Sequence, residues 1–317
     1  MLTGATDINP DRRRAARALG LRWYASAADL LADPAIDAVV VATNNLTHAP
    51  LARQALEAGK PVIVEKPLAA NARDAQALVR LAARRGLSLA VDHMMVYNVL
   101  NRRARALIAQ GALGNVNDAC FHMQFAYGYD PAEAASWRCS SRAEMGGPIG
   151  DVASHCFYMM EYLLDDQIRA VRAVYYPKRM PIAVEDGALI QCDLASGVTA
   201  TVNVSFCDRR GGPGGTIGNL GYECYGDQGV LRGYGTLFQL SGYPDEPFPI
   251  RLELDTFTRQ RTYRVKRPEN IYQGVIRAHA ASIQSGQRLS GEDGLRNVRL
   301  CELAHRSARQ GGKCVNV

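Results

Sequence analysis

Short apolar runs alternate with segments of helical periodicity through the N-terminal part of the chain. Residues 36–42 and 62–64 are continuous and rich in valine, the pattern of strands buried on both faces of a parallel sheet. Weaker runs cover residues 2–6 and 87–91, and glycine ends the helical segments between them. Strand and helix at this short spacing predict βαβ units, a parallel sheet and right-handed crossovers.

Beyond Val91 this alternation gives way to a succession of strands with period-two patterning. The predicted strands cover residues 115–127, 168–176, 187–194, 198–207, 222–226, 229–232 and 251–254. Helices are predicted at residues 100–110, 150–164, 272–284 and 293–309. We therefore expect two domains, residues 1–93 and 94–317. The second is expected to be α+β with a large open antiparallel sheet, and its C-terminal helix to pack back on the first domain.

Composition indicates which partners and sites to exclude, and it does not point to a reaction. The 317 residues carry a formal net charge of +6, but the arginines are dispersed and no interleaving of basic and aromatic residues indicates a nucleic-acid partner. The eight cysteines lack CxxC spacing, which favours reduced thiols, and we expect no metal site. We find no signal-peptide pattern and no apolar run of bilayer length, so we expect a cytoplasmic protein with no membrane partner.

The stretch from Val62 to Leu68 is where an apolar strand ends in charge. Pro67 cannot donate to a sheet and disfavours helical geometry at Lys66, so the strand must end there. Ligands of open α/β sheets bind just beyond the carboxyl ends of strands, which places the Lys66 ammonium where it can meet a ligand. Taken alone, an ordinary solvated lysine paired with Glu65 explains the same residues.

A second candidate for chemistry is the segment from Gly146 to His155. Asp151 and His155 lie four residues apart at the predicted start of a helix, so they share a face. A carboxylate one turn from an imidazole can orient it, which suits general acid–base chemistry near neutral pH. Taken alone, a helix-capping aspartate and a core histidine explain the pattern at least as well.

Four segments together resemble the Gfo/Idh/MocA family of nicotinamide-dependent oxidoreductases. They are residues 42–48 (ATNNLTH), 58–67 (AGKPVIVEKP), 137–138 (WR) with 146–155 (GGPIGDVASH), and 291–294 (GEDG). The resemblance runs from about Leu2 to the C-terminus, and the EKP and DxxxH motifs together are its most specific part. It implies an α/β Rossmann-type parallel sheet, truncated at its N-terminus, followed by an α+β domain with a large open antiparallel sheet.

The resemblance implies reversible hydride transfer between a nicotinamide and a secondary carbinol carbon of a sugar, cyclitol or related polyhydroxylated substrate. In the family, the EKP lysine and the DxxxH pair line a cleft between the two domains. Carried over, Lys66 donates to the substrate oxygen, His155 exchanges the hydroxyl proton, and Asp151 orients the substrate or His155. The expected substrate-binding residues are Lys66, Tyr97, Trp137, Arg138, Asp151 and His155. Packing is the alternative role for the tyrosine, the tryptophan and the arginine.

The same resemblance implies NAD or NADP as the cofactor. The residues that map close to it are Asp7, Thr43, Asn45, His48, Glu65 and Lys66. Asp7 maps to the acid that binds the adenosine ribose, which slightly favours NAD, although Arg12 could leave room for a 2′-phosphate. By analogy with relatives, the exposed face of the antiparallel sheet suggests a homodimer or homotetramer.

The sequence shows no counterpart of the family's first strand and its GxGxxG loop before Leu2, and we expect the chain to begin at the family's second strand. The missing strand is central in the usual order, so we expect a gap in the parallel sheet and no pyrophosphate site at the first helix. Three explanations are open: a start recorded too late, a cut chain, or a degenerate paralogue. The intact motifs downstream favour the first two. The alternative function is a non-catalytic binder of a small molecule or partner, with a degenerate cofactor site.

The remaining candidates have mostly structural explanations. His93 and His122 are expected at strand ends or in loops, where they could line the cleft. His279 and His305 are expected on helix surfaces. The glycine-rich segment 211–221 opens no helix, so we expect a mobile loop or rim and not a phosphate cradle.

Overall fold

The computed structural model describes residues 2–208, 220–237, 250–266 and 269–317. By its internal contacts the chain divides into two compact units. One comprises residues 1–92 and 278–295, and the other comprises residues 93–277 and 296–317. Almost all of the glycine-rich segment 211–221 lies outside the described residues.

The first unit consists of parallel strands that alternate with helices. Its elements are β1 (Gly4–Ala5), α1 (Arg12–Ala18), β2 (Arg22–Trp23), α2 (Ala27–Ala32), β3 (Val39–Val41), α3 (Asn45–Glu57), β4 (Val62–Val64), α4 (Ala72–Arg85) and β5 (Leu89–Val91). All the strand pairs in this unit are parallel, which confirms the prediction from the alternating pattern. The two-residue strand β2 was not predicted.

Helix α4 shows how local sequence sets these elements. Asn71 caps its start, because the side chain accepts a hydrogen bond from the backbone N of Asp74 at 2.9 Å. Gly86 ends it in the left-handed conformation, with φ of 66°. The buried residues recur at helical spacing: Ala75, Leu78, Val79 and Ala82. The observed bounds, Ala72–Arg85, therefore follow from signals in the local sequence.

Among the described residues, the parallel strands lie in two separate sheets, β1–β2 and β3–β4–β5. This is the gap that the sequence led us to expect. Beyond β5 the second sheet continues through Leu289, whose carbonyl accepts from the backbone N of Leu89 at 2.9 Å. Because β3, β4 and β5 are parallel, the residues that follow them all lie at one edge of the sheet.

The second unit begins with a helix and contains a large sheet. Its elements are α5 (Val99–Ala109), β6 (Val116–Gln124), α6 (Pro131–Ala135), α7 (Trp137–Ser140), α8 (Ser154–Leu164), β7 (Ile168–Tyr175), β8 (Gly187–Leu194), β9 (Thr199–Ser205), β10 (Leu220–Gly226), β11 (Gly229–Tyr234), β12 (Arg251–Thr256), β13 (Arg259–Arg264), α9 (Ile271–Ser285), α10 (Glu292–Arg309) and β14 (Val315–Asn316). Helices α9 and α10 contribute residues to both units. A π-helical turn, Ile149–Ala153, leads into α8.

Within the described part of the chain, the sheet has nine strands in the order β13-β12-β11-β10-β6-β9-β8-β7-β14. Its neighbouring strands are antiparallel, as predicted, except for β6 and β9, which run parallel. A long connection separates these two strands in sequence, so no hairpin sets their relative direction. The edge strands β13 and β14 were not predicted, because the first is polar throughout and the second has two residues.

The core of the second unit lies on one face of this sheet. Along β8, Ala188, Ile190 and Cys192 are fully buried, whereas Leu189 between them is 46% exposed. Helix α8 is buried from Ser154 to Met160, which is typical of a helix that is apolar nearly all round. The alternation along β8 gives the sheet one covered and one open face.

The expectation that His279 lies on a helix surface is wrong. Its side chain is 2% exposed, and burial lowers its pKa. The next turn of α9 faces the same interior, where the Ser282 hydroxyl lies 3.0 Å from that of Ser88. His305 is half-buried, and its Nδ1 lies 2.9 Å from the Tyr175 hydroxyl.

Within the described ranges, no helix is both long and apolar enough to cross a bilayer.

Candidate active site

Lys66 lies at the carboxyl edge of β4 and is 8% exposed. This burial rules out the alternative of an ordinary solvated lysine. The peptide bond from Lys66 to Pro67 is cis, and the Glu65 carboxylate accepts from the backbone N of Lys66 at 3.0 Å. Because Lys66 is buried, the loop after β4 holds its ammonium group at the edge of the sheet and largely out of solvent.

Asp92 follows β5 at the same edge, and the sequence reasoning missed it. Its side chain is 8% exposed, and its buried Oδ1 has no hydrogen-bond partner among the described residues. Burial, with the charge of Glu65 as the second cause, raises the pKa of Asp92 to about 7, while Lys66 partly offsets this. The rule that singled out Lys66, a charged residue directly after a buried strand, would also have found Asp92.

His48 connects two of the loops at this edge. Its ring is fully buried, with Nδ1 2.7 Å from the Pro67 carbonyl oxygen and Nε2 3.0 Å from that of Thr43. Carbonyl oxygens only accept, so both bonds form at once only when both ring nitrogens carry hydrogen. The geometry gives His48 a structural role in joining the loop after β3 to the loop after β4.

In the second unit, the glycine segment shapes the turn that carries Asp151. Gly147 has φ of 92°, and a Cβ there would meet the Glu185 carboxylate at 2.5 Å. Glu185 is itself buried, and its Oε1 accepts from the backbone N of Ile149 at 3.0 Å. A glycine is therefore required where the carboxylate caps the start of the π-helical turn.

The structure brings Trp137, Arg138 and Asp151 together in the second unit. Arg138 Nε lies 3.2 Å from Oδ2 of Asp151, which is 6% exposed. The guanidinium lies over Trp137 at 5.0 Å and over Tyr127 at 5.9 Å. Burial, followed by the charge of Asp151, holds the pKa of Tyr127 above its usual range. No spacing pattern in the sequence pointed to this tyrosine.

His155 is 2% exposed, and its Nδ1 lies 3.0 Å from the hydroxyl of Tyr158, one turn along α8. The Tyr158 ring stacks on His93 with centroids 4.2 Å apart. Sequence reasoning named both histidines but missed Tyr158, although a tyrosine three residues after a histidine on a helix shares its face. Tyr97 has different neighbours, because its ring packs against Gly274 and lies beneath Arg102.

Comparison with known families decides the assignment. Residues 1–93 match the family described as "Oxidoreductase family, NAD-binding Rossmann fold" (GFO_IDH_MocA), and residues 101–232 match the "GFO/IDH/MocA C-terminal domain". The chain belongs to the Gfo/Idh/MocA family. It is therefore an oxidoreductase with a nicotinamide-dinucleotide-binding Rossmann domain, as the resemblance predicted.

Individual members of the Gfo/Idh/MocA family align over much of the chain. The 1,5-anhydro-D-fructose reductase of Ensifer adhaerens is 28% identical over 85% of this chain and 77% of its own length. Inositol 2-dehydrogenase 3 of Saccharopolyspora erythraea is 30% identical over 73% of this chain and 64% of its own length. The structure of an aldose-aldose oxidoreductase from Caulobacter crescentus shares the fold, with TM-score 0.86, 22% identity, and 100% and 92% of the two chains covered.

The residues at the parallel-sheet edge fit the Gfo/Idh/MocA cofactor. Asp7 follows β1 with its carboxylate accepting from the backbone N of Asn9 at 2.8 Å, and Thr43 follows β3 with its hydroxyl 2.7 Å from that of Thr47. Asn45, which begins α3, is 4% exposed. Acids and hydroxyls after parallel strands suit ribose hydroxyls, and a helix N-terminus suits phosphate.

Two further features bear on cofactor chemistry in this Gfo/Idh/MocA protein. The eight cysteines are all free thiols. In the part of the chain that the structure describes, no group of His, Cys, Asp and Glu side chains has the arrangement of a metal site.

Proposed function

We propose that this protein transfers a hydride between the nicotinamide of NAD or NADP and a secondary carbinol carbon of a sugar, cyclitol or related polyhydroxylated compound. The buried ammonium of Lys66, at the carboxyl edge of an NAD-binding Rossmann domain, is the observation that carries the proposal. Relatives named as a 1,5-anhydro-D-fructose reductase and an inositol 2-dehydrogenase support the substrate class.

The proposed roles follow from the chemistry of each side chain. The bound nicotinamide supplies the hydride acceptor or donor. Lys66 donates a hydrogen bond to the substrate oxygen, and its charge stabilises the negative charge that develops there. His155 takes the hydroxyl proton during oxidation and returns it during reduction. Asp151, held by Arg138, orients the substrate or His155.

We further propose that residues 1–93 bind the cofactor and residues 94–317 bind the substrate. Within the first part, the cofactor is surrounded by Asp7, Thr43, Asn45, Glu65 and Lys66. His48 joins the loop after β3 to the loop after β4 and so holds their positions. The Asp7 carboxylate favours NAD over NADP, because a 2′-phosphate would meet a like charge. Fluorescence titrations with NADH and NADPH test this preference, and tighter binding of NADPH would reverse it.

Two variants test the chemistry. With Lys66→Met or His155→Asn, we expect turnover to fall at least about 100-fold while the fold is retained, as is usual for loss of an acid–base or electrostatic group. The exposed Lys266 supplies the matched control, and Lys266→Met should leave turnover unchanged. The substrates to assay are 1,5-anhydro-D-fructose, myo-inositol and a panel of aldoses, each with both cofactors. Activity that survives both active-site changes would contradict the assigned roles.

The alternative function, a non-catalytic binder, makes the opposite prediction. Such a protein would bind neither NADH nor NADPH with saturation and would oxidise none of the panel, while remaining folded by circular dichroism. Saturable binding of a reduced nicotinamide would exclude the alternative.

We also propose that the protein self-associates through the open face of the nine-stranded sheet, as a homodimer or homotetramer. Val174 on β7 and Leu189 on β8 are paired side by side on neighbouring strands, and each is 46% exposed. Paired apolar side chains on an open sheet face are typical of a surface that another chain covers. A cytoplasmic location stays a prediction from the sequence.

A further inference from the structure

Three buried side chains of the second unit form a connected series, and the proposed roles use only His155 among them. His155, Tyr158 and Met94 are 2%, 8% and 0% exposed. The Tyr158 hydroxyl lies 3.0 Å from His155 Nδ1 and 3.8 Å from the Met94 sulfur. The Tyr158 ring stacks on His93 with an angle of 19° between the planes, which restricts where the hydroxyl can point.

The hydrogen count along this series favours one arrangement. A thioether sulfur has no hydrogen to give, so the Tyr158 hydroxyl donates in its contact with Met94. The hydroxyl has a single hydrogen, so its oxygen accepts from His155. Nδ1 of His155 then carries the ring hydrogen, and Nε2 of the neutral ring keeps its lone pair.

The opposite arrangement breaks the hydrogen bond from Tyr158 to Met94. If Tyr158 donated to Nδ1, the sulfur of Met94 would lose its donor and Nε2 of His155 would carry the hydrogen. Nε2 would then be a hydrogen-bond donor and could not accept a proton from a substrate hydroxyl.

We propose that Tyr158 is a positioning residue that holds His155 in the Nδ1–H tautomer, so that Nε2 is the atom that accepts the substrate's hydroxyl proton. This inference rests on the proposed function for its catalytic consequence. During oxidation, the carbinol hydrogen leaves carbon with its electron pair for the oxidised nicotinamide, and the electron pair of the O–H bond forms the second carbon–oxygen bond. The released proton bonds to Nε2. The resulting imidazolium keeps its Nδ1–H bond to Tyr158, and reduction reverses each step.

The direct test is the tautomer itself. Long-range ¹H–¹⁵N spectra of the protein labelled in its six histidines distinguish a protonated ring nitrogen from an unprotonated one, and His155→Gln assigns the His155 signals by their loss. We expect the Nδ1–H form of His155 in the unaltered protein at pH values at which the ring is neutral. Tyr158→Phe keeps the ring and removes the hydroxyl, and we expect it to shift His155 towards the Nε2–H form.

Met94→Leu provides a second route that keeps apolar volume. Loss of the sulfur acceptor frees the Tyr158 hydrogen to turn to Nδ1, so this variant should also increase the Nε2–H form. The matched control is Tyr162→Phe, which makes the same change one turn along α8, where the ring lies beneath Arg105. This control should leave the His155 spectrum unchanged.

Steady-state kinetics then connect the tautomer to turnover. In Tyr158→Phe we expect kcat to fall about 10- to 100-fold with KM nearly constant and the acid limb of the pH profile displaced, because the base is lost from the chemical step and not from binding. Tyr162→Phe should retain kcat.

The outcomes separate this inference from the proposed function. An Nε2–H form in the unaltered protein, or an Nδ1–H form that survives both Tyr158→Phe and Met94→Leu, overturns the inference. A shift of tautomer in a protein that oxidises no tested substrate supports the role of Tyr158 and counts against the proposed function alone.

Discussion

At the scale of single residues, His48 shows how one side chain can hold two loops. Replacement by phenylalanine keeps a ring of similar size but removes the bonds to the carbonyls of Thr43 and Pro67. The buried carbonyl of Pro67 would be left without a partner and the more exposed carbonyl of Thr43 would lose its bond, so we expect His48→Phe to lower the free energy of unfolding by about 2–3 kcal/mol. Urea denaturation followed by circular dichroism measures the change.

His305→Phe is the comparison variant for His48. Its ring is half-buried and pairs with one group, the hydroxyl of Tyr175, so the expected loss is smaller, about 1 kcal/mol. If His48→Phe costs no more than this variant but abolishes NADH binding, then His48 contacts the cofactor and the structural role is wrong.

Asp92 leads to a prediction for the pH dependence of stability. Its pKa is raised from 3.8 to about 7 in the folded protein, so between these values the folded state binds more protons than the unfolded state. Stability from this group is therefore present at low pH and is lost as pH rises towards 7 and above. Asp92→Asn removes the buried charge, and we expect it to raise the free energy of unfolding at pH 8 by about 1–4 kcal/mol.

The gain from Asp92→Asn should shrink as the pH is lowered from 7 towards 4, because the folded carboxyl is then protonated and the unfolded one, with a pKa of 3.8, is only partly ionised. Denaturant unfolding of both proteins at a series of pH values measures this convergence. The exposed Asp37 supplies the control, and Asp37→Asn should change stability little at any pH. A constant difference between Asp92→Asn and the native protein across the series would show that the carboxyl does not titrate in this window.

The sequence singled out Lys66, Asp151 and His155 as candidate site residues, because motif spacing and strand ends can be read from the chain. It was not sufficient for Tyr127 or Tyr158, whose importance arises from side chains that approach them only in the folded unit. The misplaced His279 has a similar cause. Its helix carries both polar and apolar residues, and which face is buried depends on what packs against it.

At the scale of elements, the turn before α8 depends on the backbone at Gly147. A residue with a Cβ would be strained at φ of 92° and would also meet the Glu185 carboxylate. Gly197 offers a matched site, because its φ is 95° but nothing lies within 4 Å of an added Cβ. We expect Gly197→Ala to cost about 1 kcal/mol through strain alone.

Gly147→Ala should cost more than Gly197→Ala, because it adds displacement of Glu185 from the backbone N of Ile149. We expect an additional loss of about 1–3 kcal/mol, the cost of an unpaired buried polar group. Thermal or urea unfolding of the two variants gives the difference directly. Equal losses would show that Glu185 moves aside freely and does not fix the turn.

The elements differ in how far their sequences specify them. Helix α4 carries its own cap, its apolar stripe and its terminal glycine, so its bounds follow from local rules. Strand β13 carries none of these signals, because it is polar throughout and exists by pairing with β12. The parallel pairing of β6 with β9 is likewise a property of the assembled sheet, since no turn between them sets the direction.

At the scale of the whole molecule, the proposed self-association depends on the open face of the nine-stranded sheet. Val174 and Leu189 are directly opposite each other on β7 and β8, so a partner that covers one covers both. Each side chain is 46% exposed, so covering the remainder against a second copy would contribute about 0.7–1.4 kcal/mol per side chain, roughly half the value for burying a fully exposed one.

Light scattering coupled to size-exclusion chromatography tests the assembly. We expect the unaltered protein to elute as a dimer or tetramer and Leu189→Glu to shift it towards the monomer, because the new carboxylates would be buried opposite one another across a symmetric interface. Phe257 is 89% exposed on the turn between β12 and β13, and Phe257→Glu controls for loss of an exposed apolar side chain elsewhere. A monomeric native protein would contradict the proposed self-association. If Leu189→Glu assembles as the native protein does while Phe257→Glu does not, the interface lies elsewhere on the molecule.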